Sequence, residues 1–132
     1  MTIQITQEHN DYRLAGTLNC LDAATLPAKC SIYGGDRAES VYHPPATVPL
    51  VTFVLQKPAG YISDGVLYLL PQNVSEFVWV TGMPKWARFF DGDDVTVMDT
   101  HAGFGAGVWE VEIDKEILYA GGYAAMLITR IM

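Results

Sequence analysis

The stretch from Pro84 to Gly103, PKWARFFDGDDVTVMDTHAG, sets two short alternating runs on either side of an acidic cluster. In the first run Trp86, Arg88 and Phe90 share one face, and in the second Val95, Val97 and Asp99 do, because successive side chains of a strand point to opposite sides. Between them stands Asp91-Gly92-Asp93-Asp94. Asp-Gly between alternating runs is a strong hairpin signal: both residues tolerate positive φ, and an aspartate can satisfy turn amides. The competing reading is calcium, since hard cations want several oxygen ligands. The run lacks the alternating ligand positions and the terminal glutamate of the helical calcium loop, so a turn without metal is expected. Paired-carboxylate catalysis suits it less, because a solvated hairpin tip has nothing to drive two carboxyl pKa values apart.

Outward from the hairpin, the chain keeps to short apolar runs rich in β-branched and aromatic residues and bounded by Gly, Pro, Asn or Asp. Cys30 to Tyr33 reads as a strand ending at Gly34-Gly35-Asp36. Residues 36–49 carry Pro44, Pro45 and Pro49 and read as a surface loop, short of ladder donors. Leu50 to Leu55 is expected as a strand closed by Lys57-Pro58-Ala59-Gly60, with Val66 to Leu70 and Glu76 to Val80 following. Val108 to Asp114 alternates, placing Trp109, Val111 and Ile113 on one face and Glu110, Glu112 and Asp114 on the other. Tyr123 to Ile131 is apolar on both sides until Arg130, which suits a strand central in a sheet or buried at an interface. The expected core therefore includes Trp86, Phe90, Trp109, Val111 and Ile113.

Only the amino-terminal part has a different period. Leu14, Leu18 and Leu21 recur at i, i+4 and i+7, with Asn10 or Asp11 available as a cap and Pro27 beyond, which predicts a short amphipathic helix. The expected fold is all-β: a single jelly-roll-like β-sandwich over residues 11–132 with one short N-terminal helix, preceded by a polar arm over residues 1–10.

Composition narrows the function classes. Half of the 132 residues are hydrophobic and 17% are charged, which excludes wholesale disorder and leaves uncharged surface for partners. The formal charge of −7, spread along the chain, argues against nucleic acid, whose phosphates need a basic face. Neither a secretory leader nor a run near the ~20 apolar residues of a membrane span is evident, so a soluble protein without membrane contact is expected. Cys20 and Cys30 read as reduced thiols. His9, His43 and His101 form no zinc-type spacing with them, no nucleophile, base and orienting group assemble, and the glycine-rich segment Ala102 to Gly107 leads into a strand, not a phosphate-binding helix. No cofactor is expected.

Trp86-Ala87-Arg88-Phe89, the Asp91-Gly92 turn, and Val97-Met98-Asp99 followed by Ala102-Gly103 resemble a block of small tailed-phage structural proteins. Upstream, Cys30-Ser31-Ile32-Tyr33-Gly34-Gly35 is similar to that group's strand end, with Ser31 where arginine and Gly34 where serine is usual. The similarity runs from about Leu14 onward. It implies a non-enzymatic virion protein, made in the host cytoplasm and joined to other virion proteins, most concretely a capsid decoration or cement protein acting as a homo-oligomer, or else a tail accessory protein. Val41, Tyr42, His43, Pro44 and Pro45, together with the polar arm, are the expected partner contacts. A second hypothesis is a carbohydrate-binding module for host-surface adhesion, with Tyr42, Tyr61 and Tyr68 as its aromatic platforms.

Overall fold

The leucine repeat folds as α1, Gln7–Leu21, in a computed structural model that describes residues 4–105, 107 and 109–132. The helix starts one turn earlier than the apolar spacing suggests. Thr6 is its cap, its hydroxyl accepting from His9 N–H at 3.1 Å, and the first turn is polar and exposed, so it contributes no periodicity. Asn10 lies inside the helix and uses its side chain elsewhere, donating to Gly65 O at 3.1 Å. The expected arm over residues 1–10 is thus shorter: residues 1–3 lie outside the described residues, and Gln7 to Asn10 are helical. Leu14 and Leu21 are buried and Leu18 packs beside them. At the other end Lys57 Nζ donates to Asp22 O at 2.9 Å and to Ala24 O at 2.6 Å, a cation placed where carbonyls are left over.

Nine strands follow among the described residues. β1 is Lys29–Tyr33, β2 Val51–Ser63, β3 Val66–Pro71, β4 Glu76–Phe77, β5 Trp86–Phe90, β6 Thr96–Phe104, β7 Val111–Ile113, β8 Tyr123–Ala124 and β9 Met126–Ile131. Seven close into a barrel in the order β1-β2-β3-β9-β7-β6-β5, while β4 and β8 form a separate two-stranded sheet. The mostly β character with one helix stands, but a barrel replaces the expected sandwich. The physical reason is plain: period-2 alternation is the same on a strand of either architecture, and closure depends on β1 pairing with both β2 and β5, which no single strand's pattern contains.

Several strands differ from their expected extents. β2 does not stop at Lys57-Pro58-Ala59-Gly60; it runs on through a register shift between Leu55 and Gly60, the kind of irregularity where proline is tolerated. Gly60 sits so close to β3 that a Cβ there would lie 1.8 Å from Tyr68 O. The run Glu76 to Val80 pairs only over β4. The run Tyr123 to Ile131 divides at Ala125, whose N–H donates to Asp114 Oδ1 at 2.9 Å; β8 leaves for β4, and β9 enters the barrel between β3 and β7. Val108 lies outside the described residues, and of the expected run Val108 to Asp114 only β7, Val111–Ile113, is a strand.

Helix α1 lies against β2 and β3, and its leucines join one apolar interior with Cys30, Ile32, Phe53, Leu67, Phe89 and Ile113 among others. Burial pushes the Cys30 thiol well above its ordinary range, so it packs as a small neutral side chain, and both cysteines are free. No helix among the described residues is long and apolar enough to cross a membrane.

Candidate functional site

The face assignment on β5 is the reverse of the expected one. Register pairs Ile32 with Ala87 and Ala87 with Thr100, and likewise Cys30 with Phe89 and Phe89 with Met98; Cys30, Ile32, Ala87 and Phe89 belong to the barrel's apolar interior, and Met98 packs against it. The other face carries Ser31, Arg88 and Asp99 in one row, and Tyr33, Trp86 and His101 in the next. Trp86 is buried, but outside the barrel wall, and Phe90 is only half-buried. The pattern misled because an aromatic at each end of Trp86-Ala87-Arg88-Phe89-Phe90 outweighs the smaller Ala87. The cue against it was the charge of Arg88 between them.

That outer row is nonetheless covered. Arg88 grips Asp99 in a two-pronged pair, Nε to Oδ1 at 2.7 Å and Nη2 to Oδ2 at 2.9 Å, with side chains 4% and 3% exposed. The hydrogen bond to Asp99 raises the pKa of the Arg88 guanidinium further above its ordinary value. Its remaining donors reach into the proline loop, Nη1 to His43 O at 2.8 Å and Nη2 to Ser40 O at 3.2 Å. Arg37 closes the same loop from its other side, donating to Asp99 O at 2.7 Å. Beneath, Tyr33 and Trp86 stack with centroids 4.4 Å apart, and the guanidinium lies 5.5 Å over the Trp86 ring. Burial raises the Tyr33 hydroxyl pKa. Among the described residues Trp86 Nε1 has no hydrogen-bond partner, so stacking holds that ring.

The expected contact residues Val41, Tyr42, His43, Pro44 and Pro45 form the crest of this clamped loop. Val41 and Pro45 are half-buried, His43 and Pro44 exposed, and Tyr42 stands out at 93% exposure. Ser40 Oγ lies 2.7 Å from His43 Nδ1, a nucleophile beside a base, but the same oxygen accepts Tyr42 N–H at 3.2 Å and His43 N–H bonds Ser40 O at 3.1 Å. The pair sits on an open loop as a side-chain-stabilised turn, with nothing enclosing a substrate.

Asp91-Gly92-Asp93-Asp94 is the tip joining β5 to β6. Asp91 Oδ1 accepts from Asp93 N at 2.9 Å and Val95 N at 3.0 Å, so the carboxylate is spent on its own turn. The positive φ falls on Asp94, at 63°, and not on Gly92. Gly92 serves close approach instead: a Cβ there would lie 2.1 Å from Leu26 O. Asp94 pairs with Lys29 Nζ at 2.6 Å on the surface. Among the described residues no group of three His, Cys, Asp or Glu side chains could hold a metal ion.

Of the other expected core residues, Val111 and Ile113 are fully buried in the interior, whereas Trp109 is half-buried at its margin. Its ring lies flat on backbone, so that a Cβ on Gly103 would come within 2.6 Å of it, and its Nε1 donates to Gly105 O at 2.9 Å. Beside it opens a cleft of about 410 Å³ lined by Met83, Lys85, His101, Phe104 and Trp109. The three tyrosines expected as sugar platforms do not converge: Tyr42 is alone on the loop, while Tyr61 and Tyr68 stack on each other across β2 and β3 at 5.2 Å. Trp79, which sequence reasoning passed over inside the run Glu76 to Val80, is exposed. No protein family, curated protein or solved structure matches the chain.

Proposed function

We propose that the chain is a non-enzymatic structural protein of a tailed-phage particle, most concretely a decoration protein that joins subunits of the head. It is made in the host cytoplasm, works as a homo-oligomer and has other virion proteins for partners. The observation that supports this reading is the clamp: Arg88, the centre of the block that resembles phage structural proteins, spends its charge on Asp99 and its spare donors on the loop that presents Tyr42.

A loop ordered before docking loses less entropy when a partner binds, and tyrosine offers large contact area with few rotatable bonds. Each contact can then be modest, because many copies on one shell act together. Cryo-electron microscopy of particles from the producing phage, with mass spectrometry of their proteins, tests the proposal. Many copies on the head, lost when Tyr42→Ala protein replaces the wild type, is the expected result. Density confined to the tail moves the protein to an accessory role there, and absence from particles overturns the proposal.

A further inference from the structure

The small sheet continues as a ribbon beyond its two short strands. From Glu76 opposite Ala124 to Gly82 opposite Leu118 its two segments run side by side, joined by Val78 N–H to Gly122 O and Gly121 N–H to Val78 O, both at 2.9 Å. At the far end Gly82 and Leu118 exchange bonds of 2.9 and 2.8 Å. Val78, Leu118 and Ala124 are its buried side. A sheet that covers a core on one side ordinarily turns polar residues to water on the other. This ribbon instead exposes Trp79, Thr81 and Met83 along one segment and Ile117, Tyr119 and Tyr123 along the other, and none of them is charged. The Thr81 hydroxyl is already engaged, accepting from Ala120 N–H at 2.9 Å.

Two of the exposed rings are packed before any partner arrives. Half-buried Phe77 meets Trp79 at 4.5 Å with planes at 70°, and Tyr123 at 5.9 Å with planes at 81°. Side chains held in this way lose little entropy on binding, and tryptophan and tyrosine are among those that most often dominate the energy of an interface.

We infer that two copies of the chain associate through this ribbon about a two-fold axis, a contact that rests on the homo-oligomer of the proposed function and supplies its interface. Area supports a second copy as the occupant. Trp79, Tyr119 and Tyr123 are 72%, 63% and 59% exposed, and with a whole aromatic side chain offering about 150–250 Å² they present roughly 400 Å². Exposed Met83 and Ile117 bring one copy to roughly 600 Å², so that a pair buries roughly 1,200 Å², above the ~1,000 Å² that marks a specific interface. Charge points the same way. A chain of net charge −7 meets its own copy with least repulsion at a face without charge, whereas an anionic lipid surface repels it. A two-fold axis needs only one self-complementary patch and makes every contact twice.

Sedimentation velocity over a concentration series tests this on the wild type and on Trp79→Asp, Tyr123→Ala and Tyr42→Ala, with reductant present because Cys20 is an exposed free thiol. The expected result is a wild-type dimer that raised salt does not weaken, loosened about thirtyfold or more by Trp79→Asp, less by Tyr123→Ala, and unchanged by Tyr42→Ala. Unchanged far-ultraviolet circular dichroism of the variants separates lost association from lost fold. A wild type that stays monomeric at about 100 μM, well above the micromolar range of weak interfaces, overturns the inference, and its flotation with phosphatidylcholine vesicles would give the face to lipid. A dimer that both ribbon variants leave intact, or that salt takes apart, overturns it equally. The two readings fail separately: a monomer found in many copies on phage heads removes this interface alone, and a dimer absent from particles removes the virion role alone.

Discussion

The two sides of β5 are one strand thick and differ in kind. Inside, Ala87 and Phe89 meet Cys30 and Ile32, any of which could be exchanged for another apolar side chain of similar volume. Outside, Arg88 and Asp99 are almost as well buried, yet their burial depends on geometry: each charge out of water is tolerable only while the other, and the loop carbonyls, stay in place. The inner face supplies bulk stability. The outer face supplies a position, because a bidentate pair with its spare donors committed holds one loop in one conformation.

The largest test of that contrast is Phe89→Ala, a cavity in the inner face, which should lower unfolding free energy by about 3–5 kcal/mol in urea titration while protease cleavage within residues 36–48 stays as slow as the remaining stability allows. Asp99→Ala should cost a comparable amount, about 3 kcal/mol, by leaving Arg88 buried and unpaired. The double change Arg88→Met with Asp99→Leu should recover most of that loss and still leave the loop open to protease, separating stability from loop position; a loop as protected as in the wild type would sink the distinction.

Gly92→Ala probes the tip that both faces share. Its Cβ meets Leu26 backbone, so the strand-joining turn or the segment after the helix must shift, at about 2 kcal/mol in the same titration. An effect under half that size would mean the approach yields easily.

A smaller effect comes from pH. The folded pKa of the Cys30 thiol is raised by burial, so its contribution is complete below the unfolded thiol range and is lost as pH rises. Above about pH 8.5 stability should fall by up to about 1.4 kcal/mol per pH unit, and Cys30→Val should flatten that slope in denaturation curves between pH 8 and 10. Tyr33, raised by burial on the outer face, adds a similar loss only above about pH 10. The smallest change is Tyr42→Ala, exposed on a loop held by its neighbours' carbonyls, with an expected shift within about 0.5 kcal/mol.

Periodicity made legible what periodicity reports. Leu14 and Leu21 on a helix and Val111 and Ile113 on β7 could be placed inward from spacing alone. Closure could not, because it is a property of which strands pair. The inversion on β5 has a more specific cause: Trp86 is hydrophobic and buried, as core residues are, but what buries it is stacking on Tyr33 and the Arg88 side chain rather than the barrel interior. Spacing along one strand cannot tell two covering layers apart. The clamp was half visible, since a charged residue between aromatics, facing an aspartate across a hairpin, asks for a partner. Trp79 was hidden by being read as part of a longer strand, where its alternate position implied nothing about exposure.

Seven strands closed on themselves cannot all run opposite to their neighbours, just as seven beads on a ring cannot alternate two colours. One like-with-like contact is forced, and the chain puts it between β6 and β7, where Ala102 pairs in parallel with Val111. A parallel neighbour ordinarily needs a crossover of a dozen or more residues, yet Phe104 and Val111 are joined by residues 105–110 alone. Gly103 and Gly107, with the indole of Trp109 packed on both, are thus the seam of an odd-numbered ring.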